Sequence, residues 1–266
     1  MGVKELVVLS GKGGTGKTSL SASLAALARK LVISDCDVDA ADLHLVLNPQ
    51  VDEKHSFVGG KTVRIKAGAC TACGKCAELC AFDAISCDGS GNGMVPWTAR
   101  VEPFACEGCG LCAHFCPSKA CVMEDTVVGE WYSSRTRFGP LLHARLNPGF
   151  GNSGKLVATV KEEARNLARS KGYGSILVDG PPGVGCPVIA SLSGASLVLI
   201  VAEPSASSLH DARRVKDLTD HFSVPAAMVV NKADLHDESS KELIGWAKES
   251  GVTYLGSIRY DKSMTN

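Results

Sequence analysis

Short apolar runs separated by helix-length amphipathic stretches set the rhythm of this chain. Leu6-Val7-Val8-Leu9 and Leu31-Val32-Ile33-Ser34-Asp35 are near-continuous rather than alternating, the pattern of parallel strands buried on both faces. Between them Leu20, Leu24 and Leu27 recur at helical spacing and predict a helix over about 18–30. The rhythm breaks after residue 50 and returns from Asn152. There Val157, Val160, Ala164 and Leu167 predict a helix, 176–179 and 197–201 strands, and Val215, Leu218 and Phe222 a second helical face. A strand at 227–230, a helix at 239–249 and a strand at 253–258 complete the series. Such alternation predicts an α/β protein with a doubly wound, mostly parallel sheet and right-handed crossovers. Ligands bind such sheets at the carboxyl ends of the strands.

The interruption is a repeat. Cys70-x2-Cys73-x2-Cys76-x3-Cys80 recurs as Cys106-x2-Cys109-x2-Cys112-x3-Cys116, a shift of 36 residues. The expected organisation is a discontinuous main domain, 1–50 and 150–266, with an inserted module at 62–127. Residues 51–61 and 128–149 then act as connecting strands and loops. Ten of the 12 cysteines fall between Cys70 and Cys121. Clustering of this kind points to metal ligation rather than a disulfide framework.

Lys plus Arg equals Asp plus Glu at 28 each, so no bulk attraction to nucleic acid is expected. No run approaches the roughly 18 apolar residues of a membrane span. The first residues enter a strand-like run at once rather than forming a signal peptide, and the expected location is cytoplasmic.

Gly11-Lys12-Gly13-Gly14-Thr15-Gly16-Lys17-Thr18 fits GxxxxGK[ST] between a strand and a helix. Glycines there let backbone N–H groups turn toward phosphate oxygens beside a helix N-terminus. Lys17 is expected to reach the β- and γ-phosphates and Thr18 to ligate Mg²⁺.

Lys12 is a second lysine in the loop, and with it the sequence resembles the deviant Walker A, MinD-superfamily ATPases, which include ParA and the nitrogenase iron protein. The resemblance implies that Lys12 reaches a partner's nucleotide across an ATP-dependent dimer, with a second copy or a paralogue. It implies that Asp179, before Gly180-Pro181-Pro182-Gly183, is the Walker B carboxylate holding Mg²⁺. Asp37, in Asp35-Cys36-Asp37-Val38-Asp39, would orient the attacking water, with Asp35 and Asp39 supporting; a helix-cap role for one of them is the alternative. Asn231, in Asn231-Lys232-Ala233-Asp234, would contact adenine or else cap a turn. ATP rather than GTP follows from the resemblance. Nothing like MinD's amphipathic anchor follows Tyr260, so no stable membrane anchor is expected.

The doubled CxxCxxCxxxC run is the ferredoxin pattern for two [4Fe–4S] clusters, in which the fourth cysteine of each run serves the other cluster. Cys70, Cys73, Cys76 and Cys116 then hold one, and Cys106, Cys109, Cys112 and Cys80 the other. Zinc in Cys₄ sites is the rival. Pro117 follows Cys116 as the pattern expects, whereas Ala81 follows Cys80. Cys87 and Cys121 are expected to pack beside the clusters, Cys36 in the core and Cys186 as a buried thiol or, less simply, a bridging ligand. His114 is expected to face solvent.

The leading expectation is an ATP-gated electron carrier acting on a redox partner protein. The alternatives are cluster assembly or carriage, a MinD/ParA-like positioning or scaffolding ATPase, and amidoligase chemistry.

Overall fold

The computed structural model describes residues 2–28, 30–151 and 153–262. Met1, Arg29, Asn152 and 263–266 lie outside the described residues; the sequence pattern assigns them to the chain start, a helix end, the return of the βα rhythm and the chain's stop. Two compact units emerge. One comprises Met1–His55, Glu130–Leu146 and Ser153–Asn266, the other Ser56–Gly129 with Asn147–Asn152.

The strands are β1 (Lys4–Ser10), β2 (Leu31–Asp35), β3 (Gln50–Ile65), β4 (Ile85–Ser90), β5 (Trp97–Val101), β6 (Cys121–Thr136), β7 (Gly139–Leu146), β8 (Ser175–Pro182), β9 (Leu197–Ala202), β10 (Ala226–Val230) and β11 (Thr253–Ser257). The helices are α1 (Lys17–Leu27), α2 (Leu43–Leu47), α3 (Lys75–Glu78), α4 (Leu111–His114), α5 (Ser153–Lys171), α6 (Cys186–Leu192), α7 (Ser208–His221) and α8 (Asp237–Glu249).

Nine strands form one sheet in the order β11-β10-β9-β1-β8-β2-β7-β6-β3. From β11 to β7 every neighbouring pair is parallel. Val7, Val8 and Leu9 of the central strand β1 are completely buried, as a strand covered on both faces requires. The chain leaves β1 between β8 and β9, where the winding reverses, so the loop after β1 opens at the switch point of the sheet.

Two helical faces differ from the apolar spacing. On α1 the buried positions are Lys17, Ser21, Ala22 and Ala25; Leu20 and Leu24 pack only partly and Leu27 is exposed. Small residues let this helix lie close to the sheet, so the leucine stripe does not mark its inner face. On α7 the buried positions are Ser208, Ala212, Val215 and Thr219. Phe222 lies one residue past the helix and is exposed.

β3 and β6 span 16 residues each, and the boundary between the units falls within both. The pairs Asp52–Arg135, Thr62–Thr126 and Arg64–Glu124 run in opposite sequence directions, so the two strands are antiparallel. The first half of β3 is almost wholly exposed. It therefore carries no apolar alternation, and length and pairing were invisible in its pattern.

The second unit repeats its backbone at the same 36-residue shift as its cysteines. Positive φ occurs at Ala72 and Gly108, at Gly74 and Gly110, and at Asp83 and Lys119. Gly74 and Gly110 each precede a one-turn helix, α3 or α4. The Ala84 N–H donates to Cys80 Sγ at 3.3 Å and the Ala120 N–H to Cys116 Sγ at 3.2 Å. The missing proline after Cys80 thus leaves this turn intact.

Gly108 and its counterpart Ala72 share a left-handed conformation, so conformation alone does not demand glycine at 108. Close approach does: a Cβ there would overlap the Lys61 carbonyl oxygen, whereas one at Gly110 would meet nothing. Gly108→Ala should therefore destabilise this unit by about 2–4 kcal/mol, against about 1 kcal/mol for Gly110→Ala. Urea unfolding monitored at Trp97 would separate them; equal losses would contradict the close-approach explanation.

Candidate functional site

The loop after β1 and the N-terminus of α1 form one wall of an open cleft lined by Gly13, Gly14, Thr15, Gly16, Lys17, Thr18, Asp37 and Asp42 among others. Gly14 and Gly16 have positive φ. Asn231 donates from its side-chain nitrogen to the Thr15 carbonyl at 2.8 Å, and a Cβ on Gly16 would strike that nitrogen. Asn231 thus braces the loop. The neighbouring Lys232 donates to the Gly14 carbonyl at 2.8 Å.

Lys17 is 6% exposed, and its ammonium must be compensated. Its Nζ lies 2.9 Å from Asp179 Oδ1 and 3.7 Å from Asp37 Oδ2. Ser21 donates to the same Asp179 oxygen at 2.8 Å. Asp179 Oδ2 is buried without a partner, as is Thr15 Oγ1. Unsatisfied buried acceptors are costly, and a buried carboxylate oxygen without a partner fits a divalent cation with its waters.

Asp35 and Asp37 take separate roles. Asp35 is buried, and its carboxylate accepts from the Asp37 and Leu43 N–H groups, so it ties the loop to the start of α2. Burial pushes its carboxyl well above the usual range, and Asp179 adds to this. Asp37 lines the cleft; burial raises its carboxyl too, against the opposing pull of Lys17. Asp39 is exposed.

Lys12 is held within its own chain. Its Nζ donates to Ser205 Oγ at 2.7 Å and pairs with Glu203 Oε1 at 3.0 Å, while Lys232 takes Glu203 Oε2 at 2.8 Å. Glu203, Ser205 and Ser21 are absent from the motif reading. They sit just past β9 or one turn into α1, and nothing in their local sequence marks them.

In the second unit a mostly apolar cavity is lined by Cys70, Cys73, Cys76, Cys116 and Cys121, with Trp97 at its wall. The first four are the set expected for one cluster. Cys80, Cys106 and Cys112 belong to the same packed group. Burial pushes the Cys112 thiol up, and Cys106 and Cys109 beside it add to this. Among the described residues no three Cys, His, Asp or Glu side chains converge as a single-ion site needs. Cys36 is fully buried and His114 exposed, whereas Cys87 and Cys186 are exposed rather than packed. Cys186 opens the short helix α6.

A P-loop at the switch point of a parallel sheet, facing two acidic strand ends, defines a nucleotide-binding α/β protein. Residues 6–266 match the CbiA family, described as the CobQ/CobB/MinD/ParA nucleotide binding domain, and the chain belongs to it. The uncharacterised protein MJ0578 of Methanocaldococcus jannaschii is 37% identical over 238 residues, covering 88% of this chain and 80% of its own. MJ0579 of the same organism is 27% identical over 253 residues, 87% and 81% respectively. Among solved structures, Pyrococcus horikoshii MinD with Mg-ADP aligns at TM-score 0.52 and 18% identity over 97% of this chain and 82% of that one. A Cyanothece McdA–ATP complex aligns at 0.55 and 16% over 99% and 85%. At these identities the likeness is one of fold. No helix among the described residues is long and apolar enough to cross a membrane.

Burial pushes the Glu203 carboxyl up, but hydrogen bonds from Lys232 and Lys12 outweigh it and hold it below the usual value. A depressed carboxyl contributes stability above its unfolded pKa of about 4.3 and loses it as pH falls through the folded value. Glu203→Gln should therefore cost about 1 kcal/mol at pH 7. The gap to the parent should close below about pH 4 in denaturation curves; a gap independent of pH would contradict the pairing.

Proposed function

We propose that this chain is a Mg²⁺-dependent ATPase whose second unit carries two [4Fe–4S] clusters, with ATP-driven dimerisation coupled to electron transfer to a partner protein. The observation that carries the cluster reading is the single cavity lined by Cys70, Cys73, Cys76 and Cys116. Those residues come from both motifs, in the crossed pairing that the ferredoxin pattern requires. A cubane gives each thiolate its own iron, so four sulfurs surround a cavity rather than meet at one point. Paired N–H donors to Cys80 and Cys116 Sγ suit thiolates that carry charge. The bound groups supply one-electron storage; the chain's own residues hold them, exclude water and set their charge environment.

In the first unit Gly11, Gly13, Gly14, Thr15 and Gly16 offer backbone to phosphates. Lys17 exchanges its contact with Asp179 for phosphate oxygens, and Thr18 and Asp179 hold Mg²⁺. Asp37 orients the attacking water. Lys12 leaves Glu203 and Ser205 to reach the nucleotide of a second copy, where it offsets charge developing on the transferred phosphoryl group. Asn231 serves the nucleotide site through the loop it braces, in addition to any contact with adenine. Because the chain runs from the Asp35–Asp37 loop through α2 into β3 and the second unit, nucleotide state and cluster environment have a covalent route of coupling.

A second reading, a MinD/ParA-like positioning or scaffolding ATPase, is favoured by the likeness to MinD structures, which include one of Aquifex aeolicus MinD with MinC. Cluster assembly or carriage is the remaining alternative.

Anaerobically reconstituted protein should contain about eight irons per chain, and Cys116→Ala should retain about four. MgATP should shift the electron paramagnetic resonance redox titration of the parent. Full iron with no response to MgATP would sink the coupling and favour positioning or assembly; zinc in place of iron would remove the clusters.

Lys12→Ala removes a half-exposed side chain and should spare the fold. ATP turnover should fall on the order of 10³-fold, and MgATP should no longer increase the sedimentation coefficient. Retention of both would leave Lys12 as a loop residue held by Glu203.

A further inference from the structure

The repeat makes a residue-by-residue comparison of the two cysteine sites possible, and they are unequal. Under the 36-residue shift Cys116 corresponds to Cys80, and both accept a backbone N–H from the fourth residue onward. Two further positions differ. Ser118, whose Oγ lies 3.7 Å from Cys116 Sγ, corresponds to Phe82. Cys121, which lines the same cavity as Cys76 and Cys116, corresponds to Ile85.

Cys121 is 6% exposed and Ile85 7%, so the two side chains occupy matching buried places. Only one of them has a proton to donate. Cys121 is not needed as a ligand, because the other four cysteines at its cavity already complete the set. Polar donors therefore gather at one site and are replaced by an aromatic ring and an aliphatic chain at the other.

Resting on the two-cluster reading above, we infer that Ser118 and Cys121 raise the reduction potential of the site formed by Cys70, Cys73, Cys76 and Cys116 above that of the site formed by Cys80, Cys106, Cys109 and Cys112. The physical cause is that a hydrogen bond to a ligating sulfur favours the more negative, reduced state. Burial strengthens it, since water cannot compete for the same sulfur. With clusters bound, both sites would supply one-electron storage, and Ser118 and Cys121 would set which of the two first holds an electron delivered by an external one-electron donor protein. Ser118 and Cys121 are positioning residues in this scheme, acting through the thiolates they touch.

The test is an anaerobic redox titration, followed by electron paramagnetic resonance, of the reconstituted parent, Ser118→Ala, Cys121→Val and Ile85→Cys, each with its iron content. The parent should hold about eight irons and titrate in two separable steps. Ser118→Ala and Cys121→Val should keep that iron and lower only the higher midpoint, and Ile85→Cys should raise only the lower one. Ser118 is partly exposed and truncated by a single oxygen, so it remains informative if Cys121→Val fails to fold. Unmoved midpoints at full iron would overturn this inference and leave the clusters standing. Loss of about four irons in Cys121→Val would overturn it by making Cys121 a ligand. A parent without iron would remove both readings together.

Discussion

A lysine ammonium removed from water organises the first unit. Lys17 is nearly inaccessible, and its charge has to be met inside the fold. Asp179 at the end of β8 meets it directly, Asp37 beyond β2 from further away, and Ser21 one turn along α1 secures the shared oxygen. Those contacts bind the first turn of α1 to two strand ends on one side of β1. Removing either carboxylate leaves the buried ammonium uncompensated in a low dielectric. The open Asp179 oxygen is the unsatisfied remainder of that arrangement.

The second unit solves a different problem. A short chain segment rich in cysteine and glycine has little apolar area with which to build a core. Its buried group is three cysteines, Cys70, Cys112 and Cys121, with Val63, Ile85, Ala99 and Ala120. The backbone reaches this arrangement twice by the same left-handed turns, and each half's fourth cysteine accepts one backbone N–H. Such a core is sparse alone, and clusters held by eight thiolates would add the cohesion that side-chain packing lacks.

The likeness to MinD and McdA is one of fold. The P-loop was legible because its chemistry is local: glycines, a lysine and a threonine act within eight consecutive residues. The cysteine repeat was legible because spacing alone carries it. The inner faces of α1 and α7 were not, because helices lying close to a sheet bury serine, alanine and threonine, which hydrophobic periodicity does not register. Cys186 was expected as a buried thiol and stands at the surface, since a thiol's burial depends on what the fold brings over it.

By itself the sequence determined β1, α1 and β2, most of the βα alternation after residue 152, the phosphate loop and the two cysteine runs, all encoded within a few neighbouring residues. Tertiary structure alone decided that Glu203 and Ser205 restrain Lys12, that Asn231 braces the loop, and that Asp35 ties down α2 while Asp37 faces the cleft. It also decided that Cys121 rather than an aliphatic residue touches one cysteine site. These pairings join residues as many as 216 positions apart, and their partners are fixed by strand order and packing, which no local pattern records.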